Sequence, residues 1–322
     1  MMKTGWKGFG AMSWLGIVAL SVVATLSSAS AFALAAEAQQ ETFPAPEQAV
    51  DALLAANRSG DKAELLKILG PESEKLISSG DPVADKAGRD RFIAAYDASH
   101  KLESQGADRV VLIVGKEDWP LPIPLVRQGS VWRFDTKTGE RESLDRRIGR
   151  NELNVIEVCH TYVDAQREYA VKDRASSGHR EYAQNLLSTA GKHDGLYWPT
   201  STGKEESPFG PLIAKARAEG YFSKATHDES KPYHGYYYKI LNRQGPNAPG
   251  GARDYVVDGH MSGGFAMLAF PARYGDSGVM TFIVNQNGIV YQKDLGPETA
   301  TIANNMTQFD PDATWKPVSS EP

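Results

Sequence analysis

The sequence predicts an α+β protein, and three features support this class. Apolar side chains recur at helical spacing between residues 47 and 102, and short runs with the two-residue period of strands follow them. The second half contains two apolar runs joined by Asn287-Gly288, a pair typical of a tight hairpin turn. Helices followed by a series of strands favour an α+β fold.

Three helices are predicted in the first part of the chain. Residues 47–58 form the first, and Asp61 caps a second helix that Gly70-Pro71 ends. The third is predicted over residues 85–102, where Phe92 and Tyr96 lie one turn apart.

Strands are predicted next, at Arg109–Val114 and at Val131–Phe134. Between them, residues 119–125 alternate three prolines with apolar residues, which places the three missing N–H donors along one side of a strand. This pattern predicts an edge strand whose apolar residues face the core. A polyproline recognition peptide is the alternative interpretation.

A second series of elements begins near Gly149. Asn151 is predicted to cap a helix that reaches residue 171, and residues 180–188 are predicted to be helical. Loops are predicted at residues 192–223 and 242–251. The predicted strands are residues 233–241, 264–270, 280–285 and 289–293.

The hairpin at residues 280–296 is predicted to turn on Asn287-Gly288 alone. This pairing sets Val284 opposite Tyr291 and places Phe282 and Ile289 on the same face. A register slip of one residue would turn that face to water, so we interpret the hairpin as structural.

Residues 1–36 have the pattern of a secretory signal peptide. They contain Lys3 and Lys7, no acidic residue, an apolar run and small residues near position 35. The apolar run is shorter than the roughly 20 residues of a spanning helix, which disfavours the alternative of an uncleaved anchor. We therefore expect a periplasmic or secreted protein with no stable membrane span after cleavage.

Charge and cysteine content limit the function classes. Loss of residues 1–36 would move the formal net charge from −5 to −7, because only two lysines are removed. A negative chain without a basic cluster is a poor ligand for nucleic acid. Cys159 is the only cysteine, so no internal disulfide is expected, and its helical pattern predicts a buried thiol.

Two domains are predicted after the signal peptide, at residues 37–147 and 148–322. The length exceeds that of one typical core, and 12 of the 13 tyrosines lie after residue 150.

The first domain resembles the NTF2-like, cystatin-like α+β family over residues 44–140. The likeness rests on the helix PEQAVDALLAA, the break at Gly60-Asp61 and the closing VWRFD. It implies a pocket enclosed by a curled sheet, and it assigns no catalytic residue.

The second domain resembles the globular part of pilin-like proteins over residues 150–296. The likeness rests on a long helix, a variable loop and a closing antiparallel sheet with the hairpin F-x-V-N-Q-N-G-x-V-Y. The predicted export segment is separated from this helix by the whole first domain, unlike the continuous helix of a pilin.

Nearly all of the predicted mature chain resembles an exported bacterial family of unknown function, number 2950. The motifs are SSGDPVADKAGRDRFIAAY, NELNVIEVCHTYVDAQREYA, DGLYWP, SPFGPL, PYHGYYYKIL, the long stretch that begins DGHMSGGFAML, and DPDATW. The resemblance implies an envelope or secreted protein and supplies no catalytic residues.

The histidines show no metal-ligand or catalytic spacing. They stand at positions 100, 160, 179, 193, 227, 234 and 260, without an H-x-H or H-E-x-x-H motif. His160 and Asp164 are one helical turn apart and could hold a metal, but an ordinary polar pair is the favoured interpretation. A metal or acid/base site shared by the loops that carry His193 and His260 is a further alternative. We predict no metal and no cofactor.

The aromatic residues supply the candidate binding set. The pair Tyr197-Trp198 and the run PYHGYYYKIL could present rings to a sugar or a partner, although packing in the core is the favoured interpretation of these rings. In a strand, Tyr236 and Tyr238 share a face with His234, and Tyr237 points away. The predicted binding residues are Tyr197, Trp198, His234, Tyr236, Tyr238 and His260.

These observations favour an exported, noncatalytic protein that binds an envelope protein or another cell-envelope component. The first alternative is a periplasmic hydrolase or isomerase that uses an NTF2-like pocket or the His/Asp loops. The second alternative is a pilin-like structural subunit.

Export is the most direct of these expectations to measure. We expect N-terminal sequencing of the protein recovered from a secreted or periplasmic fraction to begin near Glu37. A cytoplasmic protein that retains Met1 would contradict the signal peptide.

Overall fold

The structure is a computed structural model that describes residues 40–174, 178–200, 205–221 and 231–318. The predicted signal peptide, residues 1–36, lies outside the described residues. Within them the helices are α1 (Pro46–Ser59), α2 (Lys62–Leu69), α3 (Glu74–Ile77), α4 (Pro82–Ala98), α5 (Thr136–Tyr169), α6 (Gly210–Ala218) and α7 (Thr299–Asn305).

The strands form antiparallel sheets, apart from one short parallel pair. In the first part they are β1 (His100–Ser104), β2 (Arg109–Val114), β3 (Trp119–Pro120), β4 (Leu125–Gln128) and β5 (Val131–Phe134). In the second part they are β6 (Asn185–Leu187), β7 (Gly195–Tyr197), β8 (Tyr236–Leu241), β9 (Arg243–Gln244), β10 (Arg253–Asp254), β11 (Val256–Val257), β12 (His260–Met261), β13 (Ala266–Pro271), β14 (Met280–Asn285), β15 (Val290–Asp294) and β16 (Lys316–Pro317). The predicted α+β class is confirmed.

Capping side chains set the starts of the early helices. The Asp61 carboxylate accepts hydrogen bonds from the N–H groups of Ala63 and Glu64, as the sequence predicts. The predicted helix over 85–102 is displaced. It begins at Pro82, after the cap Asp81, and stops at Ala98, because the next residues pair with β2 as strand β1.

The first sheet has the order β1-β2-β4-β5, with β3 also paired to β2. The predicted strands β2 and β5 are confirmed. The predicted seven-residue edge strand is wrong, because only β3 and β4 form and residues 121–124 leave the ladder. Pro122 and Pro124 have no N–H to continue the pairing. Ile123 and Leu125 are nonetheless buried, as predicted.

Helix α5 is much longer than predicted. Asn151 is not its cap but a buried residue inside it, and its Nδ2 donates to the Ser277 carbonyl over 2.8 Å. The added turns carry few apolar residues, so they give no amphipathic signal. Ion pairs one turn apart support them, such as Arg146 with Glu142 at 2.8 Å.

The second sheet has the order β16-β15-β14-β13-β8. The hairpin between β14 and β15 uses a longer turn than predicted, because the Asn285 carbonyl accepts from Gly288 N and its side chain accepts from Asn287 N. Val284 therefore pairs with Val290 and not with Tyr291, and Ile289 is 46% exposed.

The segment predicted as a helix at residues 180–188 is extended. Both polar atoms of the Gln166 side chain bond the backbone of Ala183 at 2.8 Å, which fixes the segment against α5. Strand β6 then pairs in parallel with β7. The region predicted as a loop at 192–223 contains β7 and α6, and the region predicted as a loop at 242–251 contains β9.

The described residues belong to one compact unit with two clusters of buried apolar side chains. One cluster lies between Phe43 and Phe134, and the other lies between Val155 and Trp315. Helix α5 crosses the predicted domain boundary at residue 147, and the division into two domains stays a prediction.

Cys159 is fully buried, and burial raises the pKa of its thiol to about 12. Among the described helices, none is long and apolar enough to span a membrane.

Two glycines in α5 provide a matched test of this packing. A Cβ at Gly139 would lie 2.6 Å from the Ile123 Cα and the Pro122 carbonyl oxygen, whereas a Cβ at Gly149 would meet nothing within 4 Å. We expect Gly139→Ala to lower the free energy of unfolding by about 1–3 kcal/mol. Gly149→Ala should raise it by up to about 1 kcal/mol, through helix propensity. Urea denaturation measures both changes, and equal effects would contradict the close approach of α5 to residues 122–123.

Candidate functional site

Asp81 joins the two clusters of buried side chains. One carboxylate oxygen caps α4 by accepting from the N–H groups of Val83 and Ala84 at 3.1 and 3.0 Å. The other accepts from the Tyr221 hydroxyl at 3.0 Å and from Gly235 N at 2.9 Å. The residue is 1% exposed, and burial raises the pKa of its carboxyl although these hydrogen bonds oppose the shift.

Backbone and charged groups surround this contact. Gly235 has φ 76°, and a Cβ there would lie 2.7 Å from Asn151 Nδ2, so the position requires glycine. Arg273 Nη1 donates to the Ser78 carbonyl at 2.9 Å, and Lys75 lies 3.8 Å from the buried Asp276. We call this set of contacts the junction.

Three motifs of the family resemblance meet at the junction. The stretch SSGDPVADKAGRD contributes Asp81, PYHGYYYKIL contributes Gly235, and the third motif, which begins DGHMSGGFAML, contributes Arg273 and Ser277. Residues that lie more than 150 positions apart in the chain are therefore brought together.

His234 lies beside the junction in a left-handed conformation, with φ 51°. Its Nε2 is 3.2 Å from a carboxylate oxygen of Glu219, which also hydrogen-bonds the Tyr233 side chain. The rings of Tyr233 and Tyr221 lie 4.2 and 5.3 Å from its ring. Burial, with the nearby Lys215 charge, lowers the pKa of His234 to about 4. The neutral imidazole therefore donates its Nε2–H to Glu219 and makes a weak base.

An apolar cavity of about 70 Å³ opens next to these residues. It lies between α5, α6, β6 and the face of the second sheet that carries Tyr238 and Met267. Its remaining lining residues are Val158, Leu186, Leu187, Phe209, Leu212, Ile213, Ala216, Lys231 and Tyr233. We call it the apolar cavity.

The predicted residues of the PYHGYYYKIL run have different roles. Tyr238 lines the apolar cavity, whereas Tyr236 is fully buried and donates its hydroxyl to the Met280 carbonyl at 2.9 Å. Tyr236 is therefore a core residue. Because His234 precedes β8 with a positive φ, the strand alternation used in the prediction does not reach it.

Tyr197 and Trp198 belong to a separate set of contacts. Trp198 is 3% exposed, stacks on His193 with ring centroids 4.3 Å apart and donates to the Glu205 carbonyl at 3.3 Å. The Arg217 guanidinium lies over the Tyr197 ring at 5.3 Å.

His260 forms a third set. Its Nδ1 is 3.1 Å from the buried Glu181 carboxylate, and the His179 ring lies 5.0 Å from its own ring. In the described ranges, no three His, Cys, Asp or Glu side chains are placed to hold a metal ion. Asp164, considered with His160, lies 3.6 Å from Arg167.

Asp81, Glu219 and Tyr221 were not identified from the sequence. The pair Asp81-Pro82 is a recognisable start of a helix, so the cap itself was detectable. The contacts of Asp81 with Tyr221 and Gly235 span 140 and 154 residues, and no local pattern encodes them.

The His234 environment predicts a pH dependence of stability. The unfolded chain binds the proton at the ordinary pKa of 6.5 and the folded chain only near 4, so the unfolded state takes up more protons between these values. The stabilisation that comes from keeping His234 neutral in the folded state is complete above pH 6.5, and it is lost as the pH falls from 6.5 towards 4. We expect a loss on the order of 2 kcal/mol, reduced by solvent screening.

Urea denaturation at pH 7 and at pH 4.5 measures this loss. His234→Asn keeps a residue that tolerates positive φ and should remove most of the difference. His160→Asn, at an exposed position on α5, should leave it unchanged. A difference that persists in His234→Asn would contradict the assignment.

Comparison with known proteins identifies the family. A family model described as "Protein of unknown function (DUF2950)" matches residues 40–318, which include the junction and the apolar cavity. No curated protein and no solved structure matches the chain. The chain therefore belongs to the DUF2950 family of proteins of unknown function.

Proposed function

We propose that the protein is an exported, noncatalytic binding protein of the cell envelope, and that it holds its partner or envelope component at the apolar cavity. The signal-peptide pattern of residues 1–36 supports a periplasmic or secreted location. In the same proposal, the first part of the chain is NTF2-like and the second part is pilin-like in its helix and sheet.

The apolar cavity is the observation that carries this proposal. The walls of this cavity of about 70 Å³ are largely apolar, and apolar surface that leaves water is stabilised by about 25 cal/mol per Å². An apolar group that enters from the surface would therefore gain this stabilisation. The larger groove of about 670 Å³ beside α7 is more open, so it would remove less of a ligand's surface from water.

The polar groups beside the cavity support binding over chemistry. The Asp81 carboxylate accepts four hydrogen bonds, two within its own helix cap and two that join the clusters. His234 is paired with Glu219, and burial lowers its pKa far below neutrality, whereas a general base works best with a pKa near the operating pH.

A hydrolase or isomerase is the second candidate. It is favoured by the His234–Glu219 pair and the Tyr233 ring next to the cavity. A hydrolase would add water to the bound molecule and split it, which changes the mass, whereas an isomerase would keep the mass and change the chromatographic retention time.

A matched pair of substitutions in α6 tests the binding proposal. Ala216 is fully buried in the cavity wall, so Ala216→Leu should fill the cavity, whereas Ala218→Leu places the same side chain on the exposed side of the helix. The exported protein would be immobilised and incubated with envelope extract, and the bound material quantified by mass spectrometry. We expect Ala216→Leu to retain about tenfold less than the wild type, and Ala218→Leu to retain as much.

Thermal unfolding controls for folding, and Ala216→Leu should unfold at the wild-type temperature or above it. Equal retention of envelope material by the two variants would contradict binding at the apolar cavity. A bound molecule that is cleaved, or whose retention time changes at constant mass, would favour the enzyme.

A further inference from the structure

Strand β8 forms one edge of the second sheet, with β13 on its other side. Tyr236 N and O bond the backbone of Tyr233, and Gly235 O accepts from Ala272 N on the β13 side. Because the direction of backbone groups alternates along a strand, the N–H and C=O groups of Tyr238 and Ile240 point away from β13. In the described part of the chain, these four groups have no hydrogen-bond partner.

Two of the usual protections of a strand edge, a proline and a bulge, do not occur in β8. Its sequence, YYYKIL, has no proline, and it pairs with β13 without a bulge. Its one charged residue is Lys239, whose ammonium donates to the carbonyls of Asn304 and Met306 at 2.8 and 2.9 Å. This charge is held on the α7 side of the sheet and does not guard the edge.

The apolar cavity lies next to this edge. Tyr238 of β8 and Met267 of β13 line it from the opposite face of the sheet to Lys239. A strand added to β8 would run about 4.8 Å away, with alternate side chains on the cavity face. The cavity volume of about 70 Å³ is under half of the roughly 150 Å³ that holds benzene. A short aliphatic side chain fits this space, and an aromatic ring does not.

We propose that β8 binds an extended segment of a partner polypeptide as a sixth strand of the sheet, with one aliphatic side chain of that segment in the apolar cavity. This rests on the proposed binding function and adds the class of partner. The outward groups of Tyr238 and Ile240 alternate donor and acceptor at strand spacing, which is the pattern that another extended backbone complements.

Peptide selection tests the inference. A phage-displayed pool of random twelve-residue peptides would be panned against the exported protein, and enriched peptides would be synthesised and their Kd measured. We expect them to share a valine, leucine or isoleucine at one register position. Ala216→Leu should abolish that preference, and Ala218→Leu should retain it.

Two variants of Ile240 test the backbone pairing. Ile240→Pro removes an outward N–H at a position where an edge strand tolerates proline, and should weaken binding about tenfold. Ile240→Ala removes the side chain but keeps the N–H, and should change Kd less than about threefold. Wild-type affinity in Ile240→Pro would overturn the inference.

A second measurement leaves the protein unchanged. N-methylation of the peptide at alternate residues, those whose N–H faces β8, should abolish binding, and N-methylation of the residues between them should not. The Tyr238 and Ile240 amides should exchange hydrogen more slowly in the complex. Uniform sensitivity to N-methylation, protection elsewhere, or no enriched peptide would overturn the inference.

The remaining outcomes separate the two proposals. If the same amides become protected as the free protein dimerises in sedimentation, the edge belongs to a second copy and the inference fails. If envelope material depends on Ala216 but is retained equally by Ile240→Pro, the proposed function stands and the strand addition fails. If no envelope material depends on Ala216, the proposed function fails, whatever peptides are selected.

Discussion

The buried Asp81 carboxylate is the contact on which the rest of the described structure depends. A carboxylate without water is costly unless hydrogen bonds replace its hydration, and Asp81 accepts four. Two come from the first turn of α4, where the helix dipole also favours a negative charge. The other two come from Tyr221 and Gly235, so satisfying one buried group aligns α4 with the start of β8. Gly235 directly precedes β8, so its position also fixes the edge strand and the wall of the apolar cavity.

Polar side chains of the long helix α5 fix further parts of the second half of the chain. Near its middle, Asn151 bonds the Ser277 carbonyl, and further along Gln166 fixes the extended segment at Ala183. That segment leads into β6, which supplies Leu186 and Leu187 to the cavity. The cavity is therefore bounded by elements whose positions are set by buried polar contacts as well as by apolar packing. Such contacts specify one arrangement, because a shifted element would leave a buried amide unpaired.

The predictions from sequence succeeded where the cause of the structure is local. The Asp61 cap, the end of α2 at Gly70, strand β2 and the buried thiol of Cys159 each follow from a few neighbouring residues. The predictions failed where contacts with residues distant in the sequence determine the local structure. Residues 180–188 are extended because the Gln166 side chain hydrogen-bonds the backbone of Ala183. The first turns of α5 are polar, so they lack the apolar periodicity that predicts a helix. Of the predicted binding residues, Tyr238 lines the apolar cavity, Tyr236 is buried in the core and His234 precedes the strand with a positive φ.

The sequence by itself determined the α+β class, the strands β2, β5, β8, β13, β14 and β15, the family resemblance and the expectation of export, because composition, periodicity and turn chemistry are properties of short segments. Only the tertiary structure decided that Asp81 meets Gly235, that His234 faces Glu219 and that β8 is an edge beside a cavity. These are relations between segments about 15 to 154 residues apart. They depend on which buried groups must be satisfied together, and that requirement exists only once the chain has folded.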